Sequence, residues 1–236
     1  MSKTIEFADW GLIPYEEAYQ RQKELFEDNI LKKTNSIATA NTIVFCEHLH
    51  VLTLGKNASQ ANLLFSKEFL KEKGVELFHV DRGGDITYHG PGQVVGYPII
   101  DLENFGIGLK EYIFRIEEAI IRLLDLYHIQ AERMENATGV WIDSGKPGNA
   151  RKICAIGVRS SRFITMHGFA LNVNTDLDYF RLINPCGFID KGVTSVKQEL
   201  GNQFDISKLK ANLQNCLQEV FNGYTVSISN LQTYSQ

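Results

Sequence analysis

The chain has 236 residues, 44% hydrophobic and 11% aromatic, which is enough to bury a large core and excludes a disordered tail, a mini-scaffold and a collagen-like rod. Its 24 basic and 28 acidic residues give a net charge of −4, so no overall basic excess is available to bind nucleic acid. No segment has the pattern of a signal peptide or a membrane span, so we expect a cytosolic protein with no membrane partner. We expect one domain over residues 1–236.

The hydrophobic pattern predicts a mixture of strands and helices along the chain. In chain order, helices are predicted over residues 15–33, 66–73, 109–127 and 207–221, and strands over 42–46, 50–54, 75–80, 140–142, 153–158, 163–173 and 224–229. Ser66 is the predicted N-cap of the second helix, and residues 143–149 are a predicted mobile hairpin loop. Strands outnumber helices and several follow one another directly, which favours an α/β fold of α+β character with a mixed, largely antiparallel sheet flanked by helices.

The four cysteines, Cys46, Cys154, Cys186 and Cys216, have no metal-binding spacing. Cys46 and Cys154 lie in predicted strands and Cys216 on the apolar face of a predicted helix, so we expect these three in the core. Cys186 lies in a turn between a proline and a glycine, where a thiol is presented rather than buried.

A glycine-dense segment, residues 81–93, interleaves four glycines with Arg82, Thr87, Tyr88 and His89. Glycines allow a close approach of the backbone to a ligand, and the polar side chains can orient it. A simple hairpin loop is the alternative. The spacing fits neither GxGxxG nor GxxxxGK[ST], so a phosphate-binding loop is disfavoured. Lys152 begins a predicted strand, and such a lysine is ordinarily a solvated strand end.

Several motifs occur together between residues 45 and 196, in one order. They are Glu47-His48, Thr53-Leu-Gly55, Arg82-Gly-Gly84, Thr87-Tyr-His-Gly-Pro-Gly-Gln93, Gly96-Tyr-Pro98, Lys152-Ile153, Ala155-Ile-Gly157, Thr165, His167-Gly168, Ala170-Leu-Asn-Val173, Pro185-Cys-Gly187 and Val193-Thr-Ser195. In these motifs the chain resembles the lipoyl(octanoyl) transferases.

The resemblance implies the catalytic-domain fold of the biotin and lipoate protein ligases, and an acyltransferase that acts as a monomer and needs no cofactor. The implied reaction moves an octanoyl group from octanoyl-acyl carrier protein to a lysine of lipoyl domains of 2-oxoacid dehydrogenases or of the glycine-cleavage H protein. Cys186 matches the acyl-accepting cysteine and Lys152 its catalytic partner. The implied substrate-binding residues are Arg82, Gly83, Gly84, Asp85, Ile86, Thr87, Tyr88, His89, Ala155, Ile156, Gly157, Gly168, Phe169 and Ala170.

These roles agree with thiol chemistry, because a neighbouring ammonium favours the thiolate of a cysteine. Thioester exchange is nearly isoenergetic and the step from thioester to amide is downhill, so no nucleotide is required. Cys154 departs from the family, which more often has a small alanine-like residue there, and it predicts a second thiol near the site. Residues 145–150 resemble an insertion just before Lys152.

Three alternatives remain open. An ATP-dependent lipoate or biotin protein ligase shares the fold but needs no nucleophile at Cys186. A binding module that holds the acyl chain without transferring it has no need of Lys152 and Cys186 together. A metal enzyme would use His48, His50 and His89, yet no nearby carboxylate completes the ligand set, so we expect no metal.

Docking of an acidic carrier protein is expected to depend on a local basic patch, since the whole chain is negative. The candidates for this patch are Arg151, Arg159, Arg162 and Lys146.

Overall fold

A computed structural model describes residues 4–59, 62–146, 148–184 and 191–222 of the chain. Its strands are β1 (Glu6–Ile13), β2 (Thr42–His48), β3 (Val51–Leu54), β4 (Glu76–His79), β5 (Ile86–His89), β6 (Gln93–Ile99), β7 (Glu132–Met134), β8 (Ala137–Ile142), β9 (Arg151–Ser161), β10 (Ile164–Asn172) and β11 (Gly192–Val193). Its α-helices are α1 (Tyr15–Thr34), α2 (Lys67–Glu72), α3 (Leu102–Phe105), α4 (Leu109–Asp125), α5 (Val196–Leu200) and α6 (Ile206–Asn222), and a 3₁₀ helix spans Leu177–Leu182. None of these helices is long and apolar enough to cross a membrane.

Two sheets organise the described residues. The large sheet has the order β1-β2-β6-β10-β9-β8-β7, with β11 parallel to the start of β9. Its β1–β2 pair is parallel, and the other neighbours along this order are antiparallel. The small sheet has the order β4-β3-β5. The predicted fold class, a mixed and largely antiparallel sheet with flanking helices, is therefore confirmed.

Helices α4 and α6 cover one face of the large sheet. The apolar positions that repeat every three or four residues along α4, such as Ile116 and Ile120, are fully buried, and Leu213 and Leu217 of α6 are buried with them. Each such side chain contributes about 1.5–3 kcal/mol on burial. This layer is the main core of the protein, and it fixes the positions of β9 and β10.

Helix α1 packs against β10 and β6 and buries Phe26 beside Ile164 and Met166. The small sheet has its own core, in which Tyr88 is fully buried with Leu52 and its neighbours. Between the small sheet and the glycine-rich part of β9 and β10 the packing is incomplete, and the cavity described below lies there.

The four predicted helices are all present, and Ser66 caps α2 by accepting a hydrogen bond from the amide of Phe69. Residues 143–149 connect the antiparallel strands β8 and β9, as a hairpin loop should. Five strands, β1, β5, β6, β7 and β11, were not predicted, and the strand predicted over residues 224–229 lies outside the described residues.

The glycine-dense segment is not a simple hairpin loop. It contains β5, which pairs with β3 in the small sheet, and leads to β6, which pairs with β2 and β10 in the large sheet. The turn between β5 and β6 therefore carries the chain from one sheet to the other. Gly92 in this turn has a φ of 80° and lies close to the backbone of Asn174, a conformation and a contact that suit glycine alone.

Candidate active site

An open cavity of about 990 Å³ lies where the small sheet faces β9 and β10, and part of this volume is open to solvent. Most of the residues that the family resemblance implied as substrate-binding line it, namely Arg82, Gly84, Asp85, Ile86, Thr87, His89, Ala155, Ile156, Gly157, Gly168, Phe169 and Ala170. Lys152 lines the same cavity. Gly83 and Tyr88 are not part of the lining: Gly83 bonds through its amide to the carbonyl of Val158, and Tyr88 points into the small sheet's core.

One wall of the cavity is made of small residues on β9 and β10. The antiparallel register places Ala155 opposite Ala170 and Gly157 opposite Gly168. A Cβ atom added at Gly157 would lie 2.9 Å from the carbonyl oxygen of Gly83, so the two walls touch here through glycine backbone. This wall is smooth and largely apolar, which suits a flexible hydrocarbon chain.

Arg82 forms part of the opposite wall and is only 8% exposed. Its Nη2 atom donates to the carbonyl oxygen of Thr53 at 2.8 Å and to the hydroxyl of the same residue at 2.9 Å, and its Nη1 atom donates to the carbonyl oxygen of Gly83 at 3.0 Å. These bonds fix a guanidinium charge at the cavity and hold the glycine-rich segment against β3.

Lys152 lies at one end of the cavity. Its Nζ donates to the carbonyl oxygen of Thr138 at 3.2 Å and lies 4.6 Å from the centre of the Trp141 ring. Both contacts favour a charged ammonium. Val193 of β11 is paired with Lys152, and Lys191, just before β11, also lines the cavity.

A β-bulge in β9 turns the side chains of Lys152 and Cys154 to opposite sides of the strand. Trp141 is paired with Lys152 but Val140 with Cys154, so Ile153 is the extra residue of β9. Lys152 therefore faces the cavity, whereas Cys154 is fully buried in the α4–α6 core layer. Cys154 is therefore a second thiol close to Lys152, as predicted, but it belongs to the core and not to the cavity lining.

Cys186 lies outside the described residues, but the chain on either side of its segment borders the cavity. Before the segment, Phe180 lines the cavity and the amide of Asn184 donates to the carbonyl oxygen of Asn62 at 2.8 Å. After it, Lys191, Gly192 and Val193 line the cavity.

The other three cysteines are buried, as predicted. Burial raises the pKa of the Cys46, Cys154 and Cys216 thiols, which disfavours their thiolate forms. These three thiols are therefore poor nucleophiles.

Two histidines near the cavity are held in their neutral forms by burial. Burial lowers the pKa of His89 to about 3, and the Nδ1 atom of His89 is 2.8 Å from the side-chain oxygen of Gln93. Burial lowers the pKa of His48 to about 4. Nδ1 of His48 donates to the carbonyl oxygen of Ile13, and Nε2 accepts from the hydroxyl of Tyr97 at 2.6 Å.

Two of the three histidines named in the metal hypothesis, His48 and His50, do not lie on one strand. Strand β2 ends at His48, and His50 lies in the turn that follows. The ring of His50 instead stacks on Tyr179 at 4.2 Å and bonds to the hydroxyl of Tyr88.

His167 forms a pair with Asp81 that the sequence did not predict. Its Nε2 lies 2.9 Å from Oδ1 of Asp81, and Arg159 forms an ion pair with the same carboxylate. Burial lowers the pKa of His167, and the bond to His167 lowers that of Asp81. Val158, the partner of His167 on β9, is six positions after Lys152, on the order of 20 Å along the strand. His167 and Lys152 therefore lie at opposite ends of the cavity.

The predicted basic patch is not formed. Arg151 is bound to Glu199 and Asp143, Lys146 pairs with the same aspartate, and Arg159 pairs with Asp81. These charges are thus neutralised within the protein. Arg151 and Arg159 are also eight positions apart on β9, about 26 Å, so they cannot belong to one patch.

Arg162, the fourth candidate, donates to the hydroxyl of Thr34 on α1 at 2.6 Å. It is exposed, but it lies beyond the end of β9, beside α1 rather than at the cavity.

Two residues that line the cavity, Tyr15 at the start of α1 and Trp141 on β8, carry no sequence signal of their own. Tyr97 on β6, which belongs to the Gly96-Tyr-Pro98 motif, lines the cavity as well. Only the assembled sheets bring Tyr15 and Trp141 to the cavity, so neither spacing nor periodicity could have selected them.

Comparisons with known proteins show the family of the sequence and the fold that it shares. The sequence matches the family described as the lipoyl protein ligase A/B catalytic domain over residues 16–218. The structure is similar to a bipartite lipoate protein ligase of Thermoplasma acidophilum, with a TM-score of 0.65 at 16% identity over 97% of this chain and 89% of that one. It is equally similar to a lipoate-protein ligase A bound with ATP, with a TM-score of 0.65 at 15% identity over 99% and 92%. At such identities these structures show the shared fold alone.

Two relatives of higher sequence identity show the group within this family to which the chain belongs. The chain is 54% identical to an octanoyltransferase of Parabacteroides distasonis over 219 residues, which cover 93% of this chain and 99% of that protein. It is 58% identical to an octanoyltransferase of Bacteroides fragilis over 211 residues, which cover 89% and 95%. The chain therefore belongs to the lipoyl protein ligase A/B catalytic-domain family and, within it, to the octanoyltransferases.

Proposed function

We propose that the protein transfers an octanoyl group from octanoyl-acyl carrier protein to a lysine amine of lipoyl domains or of the glycine-cleavage H protein, in lipoate biosynthesis. The observation that carries this proposal is the identity of 54–58% to octanoyltransferases over about nine-tenths of the chain. The reaction would take place in the cytoplasm, on a monomer that acts as one catalytic unit over residues 1–236.

The cavity supports an acyl substrate. Its small-residue wall, formed by Ala155, Gly157 and Ala170, leaves room beside two apolar strands for an eight-carbon chain. Burial of each methylene contributes about 0.8 kcal/mol, so a chain of this length binds without any charged anchor at its end.

We assign the nucleophile to Cys186 and its partner to Lys152. Burial of the other three thiols supports the first assignment, because a buried thiol is seldom ionised. Two observations support the second: Lys152 lines the cavity, and the chain on both sides of the Cys186 segment borders it. An ammonium near a cysteine favours the thiolate, which is the reactive form.

In the first half of the reaction, the Cys186 thiolate attacks the thioester carbonyl of the octanoyl carrier. The carbon–sulfur bond to the carrier's arm breaks, and the departing thiolate takes a proton from the Lys152 ammonium. The octanoyl group is then held as a thioester on Cys186, and Lys152 is a neutral amine that can act as a base.

In the second half, the amine of the acceptor lysine attacks this thioester. The bond to Cys186 breaks, and the proton lost by the attacking amine returns to Lys152. The thiolate and ammonium are thereby restored, and neither a nucleotide nor a metal enters the balance. The step from thioester to amide supplies the driving force.

Intact-mass measurement after mixing with octanoyl carrier protein tests this proposal. We expect the mass to rise by one octanoyl group, hydroxylamine to remove it, and Cys186→Ser to abolish it, while Cys216→Ser, the control, leaves it unchanged. An adduct on Cys46, Cys154 or Cys216 would contradict the assignment. Octanoylation of a lipoyl domain from octanoic acid and ATP alone would favour a ligase instead, and the absence of any transfer would favour a binding module.

A further inference from the structure

A hydrophobic and basic surface surrounds helix α2. We call it the α2 surface and define it as Leu64, Phe65, Lys67, Phe69, Lys71 and Lys73. Leu64 is 54% exposed and Phe65 is 40% exposed, and the Phe65 ring stacks on Phe69 with 4.7 Å between centroids. Two large adjacent apolar side chains exposed beside a short helix are typical of an interaction surface.

The lysines of the α2 surface differ from the basic residues near β9. Lys67, Lys71 and Lys73 are exposed, and none of them forms an ion pair with another residue in the described ranges. Two glutamates, Glu68 and Glu72, lie on the same helix. The three lysines outnumber them, so the segment keeps a positive excess in a chain with a net charge of −4. These charges remain available to an acidic partner.

The α2 surface is joined to the chain that leads to Cys186. The amide of Leu64 donates to the carbonyl oxygen of Leu182 at 3.1 Å, and Leu63 forms a β-bridge with Ile183. Asn62 donates through Nδ2 to Oδ2 of Asp85, which lines the cavity. The surface is therefore next to the cavity but outside it, because none of its six residues belongs to the lining.

We propose that the α2 surface docks the acyl carrier protein that delivers the octanoyl thioester. This inference rests on the proposed function. A carrier presents its thioester on a long phosphopantetheine arm, so its protein surface can dock beside the cavity while the arm reaches inside. An acceptor lysine has only four methylenes, so the acceptor domain must lie directly at the cavity mouth. An acidic carrier with a long arm thus fits this position better than an acceptor domain does.

The test is a charge reversal, Lys67→Glu with Lys71→Glu, measured with two donors. With octanoyl carrier protein we expect KM to rise about tenfold with little change in kcat, because electrostatic docking acts before the chemistry. With octanoyl-pantetheine, which lacks the carrier's protein surface, KM and kcat should stay unchanged. That second donor also reports whether the variant is folded.

The control is Lys208→Glu, a single charge reversal at an exposed lysine near the start of α6, which covers the other face of the large sheet. It should leave both donors unaffected. Phe65→Ser should raise KM for the carrier alone, as the lysine changes do. Binding of the carrier to each variant, measured by fluorescence anisotropy without turnover, should weaken in parallel with the rise in KM.

An unchanged KM for the carrier, or an equal rise with both donors, would overturn the docking proposal. A rise in KM for the lipoyl domain instead of the carrier would assign the surface to the acceptor and overturn it as well. If the unaltered protein binds the carrier but transfers no octanoyl group, the proposed function fails, whereas the anisotropy measurements still decide the docking surface.

Discussion

The two faces of β9 and β10 differ although the same two strands build both. Towards α4 and α6 the paired residues include Cys154 and Leu171, which are fully buried in a closely packed layer. Towards the small sheet the pairs are Ala155 with Ala170 and Gly157 with Gly168, and an open cavity remains. Large side chains on one face thus stabilise the fold, while small ones on the other leave space for a ligand.

The largest effect on stability should come from truncation on the packed face. Leu171→Ala removes a fully buried side chain and leaves a cavity, so we expect the free energy of unfolding to fall by about 2–5 kcal/mol. Chemical denaturation measures this change. At temperatures where the variant is folded, its kcat/KM should remain close to that of the unaltered protein. Unchanged stability would contradict the role assigned to this face.

Filling the open face should change activity instead. Ala155→Leu places three further carbons in the cavity, which would displace about three methylenes of the acyl chain. At about 0.8 kcal/mol for each methylene, kcat/KM for octanoyl transfer should fall about fiftyfold. Transfer of a pentanoyl group should be much less affected. An equal loss with both chain lengths would indicate that the acyl chain does not lie against Ala155.

The smallest effect is expected from Cys154, the residue before Ala155, which faces the α4–α6 core layer instead of the cavity. Cys154→Ala removes only a buried sulfur atom, so the free energy of unfolding should fall by about 1 kcal/mol and the preference for chain length should not change. This variant is the matched control for Ala155→Leu. A changed chain-length preference would place Cys154 at the cavity after all.

Much of the fold could be predicted because its signals are local. The periodic apolar residues of α4 and the serine cap of α2 depend on neighbours within a few positions. In contrast, β5 and β6 belong to different sheets although they are close in sequence, and only tertiary pairing decides this. The exposed pattern of β1 likewise carries little strand signal, since this strand forms the edge of the large sheet.

In the candidate site, too, some features could be predicted from the sequence and others depend on tertiary pairing. The motifs of the family indicated most of the cavity wall, whereas the β-bulge that turns Cys154 away from Lys152 depends on the register with β8. The pair formed by His167 and Asp81 joins residues 86 positions apart, beyond the reach of any local pattern. The prediction of a basic docking patch failed because the acidic partners of its residues, such as Glu199 for Arg151, come from distant segments.

The most direct test of the proposed catalytic pair is the pH dependence of Cys186 alkylation in Lys152→Ala and in His167→Ala. Lys152 lines the cavity near β11, whereas His167 lies about 20 Å further along β9. Loss of a nearby ammonium in a partly desolvated site should raise the alkylation midpoint by about one to three pH units in Lys152→Ala. His167→Ala should leave the midpoint unchanged. An unchanged midpoint in Lys152→Ala together with a raised one in His167→Ala would contradict the pair and assign the thiol's partner to His167.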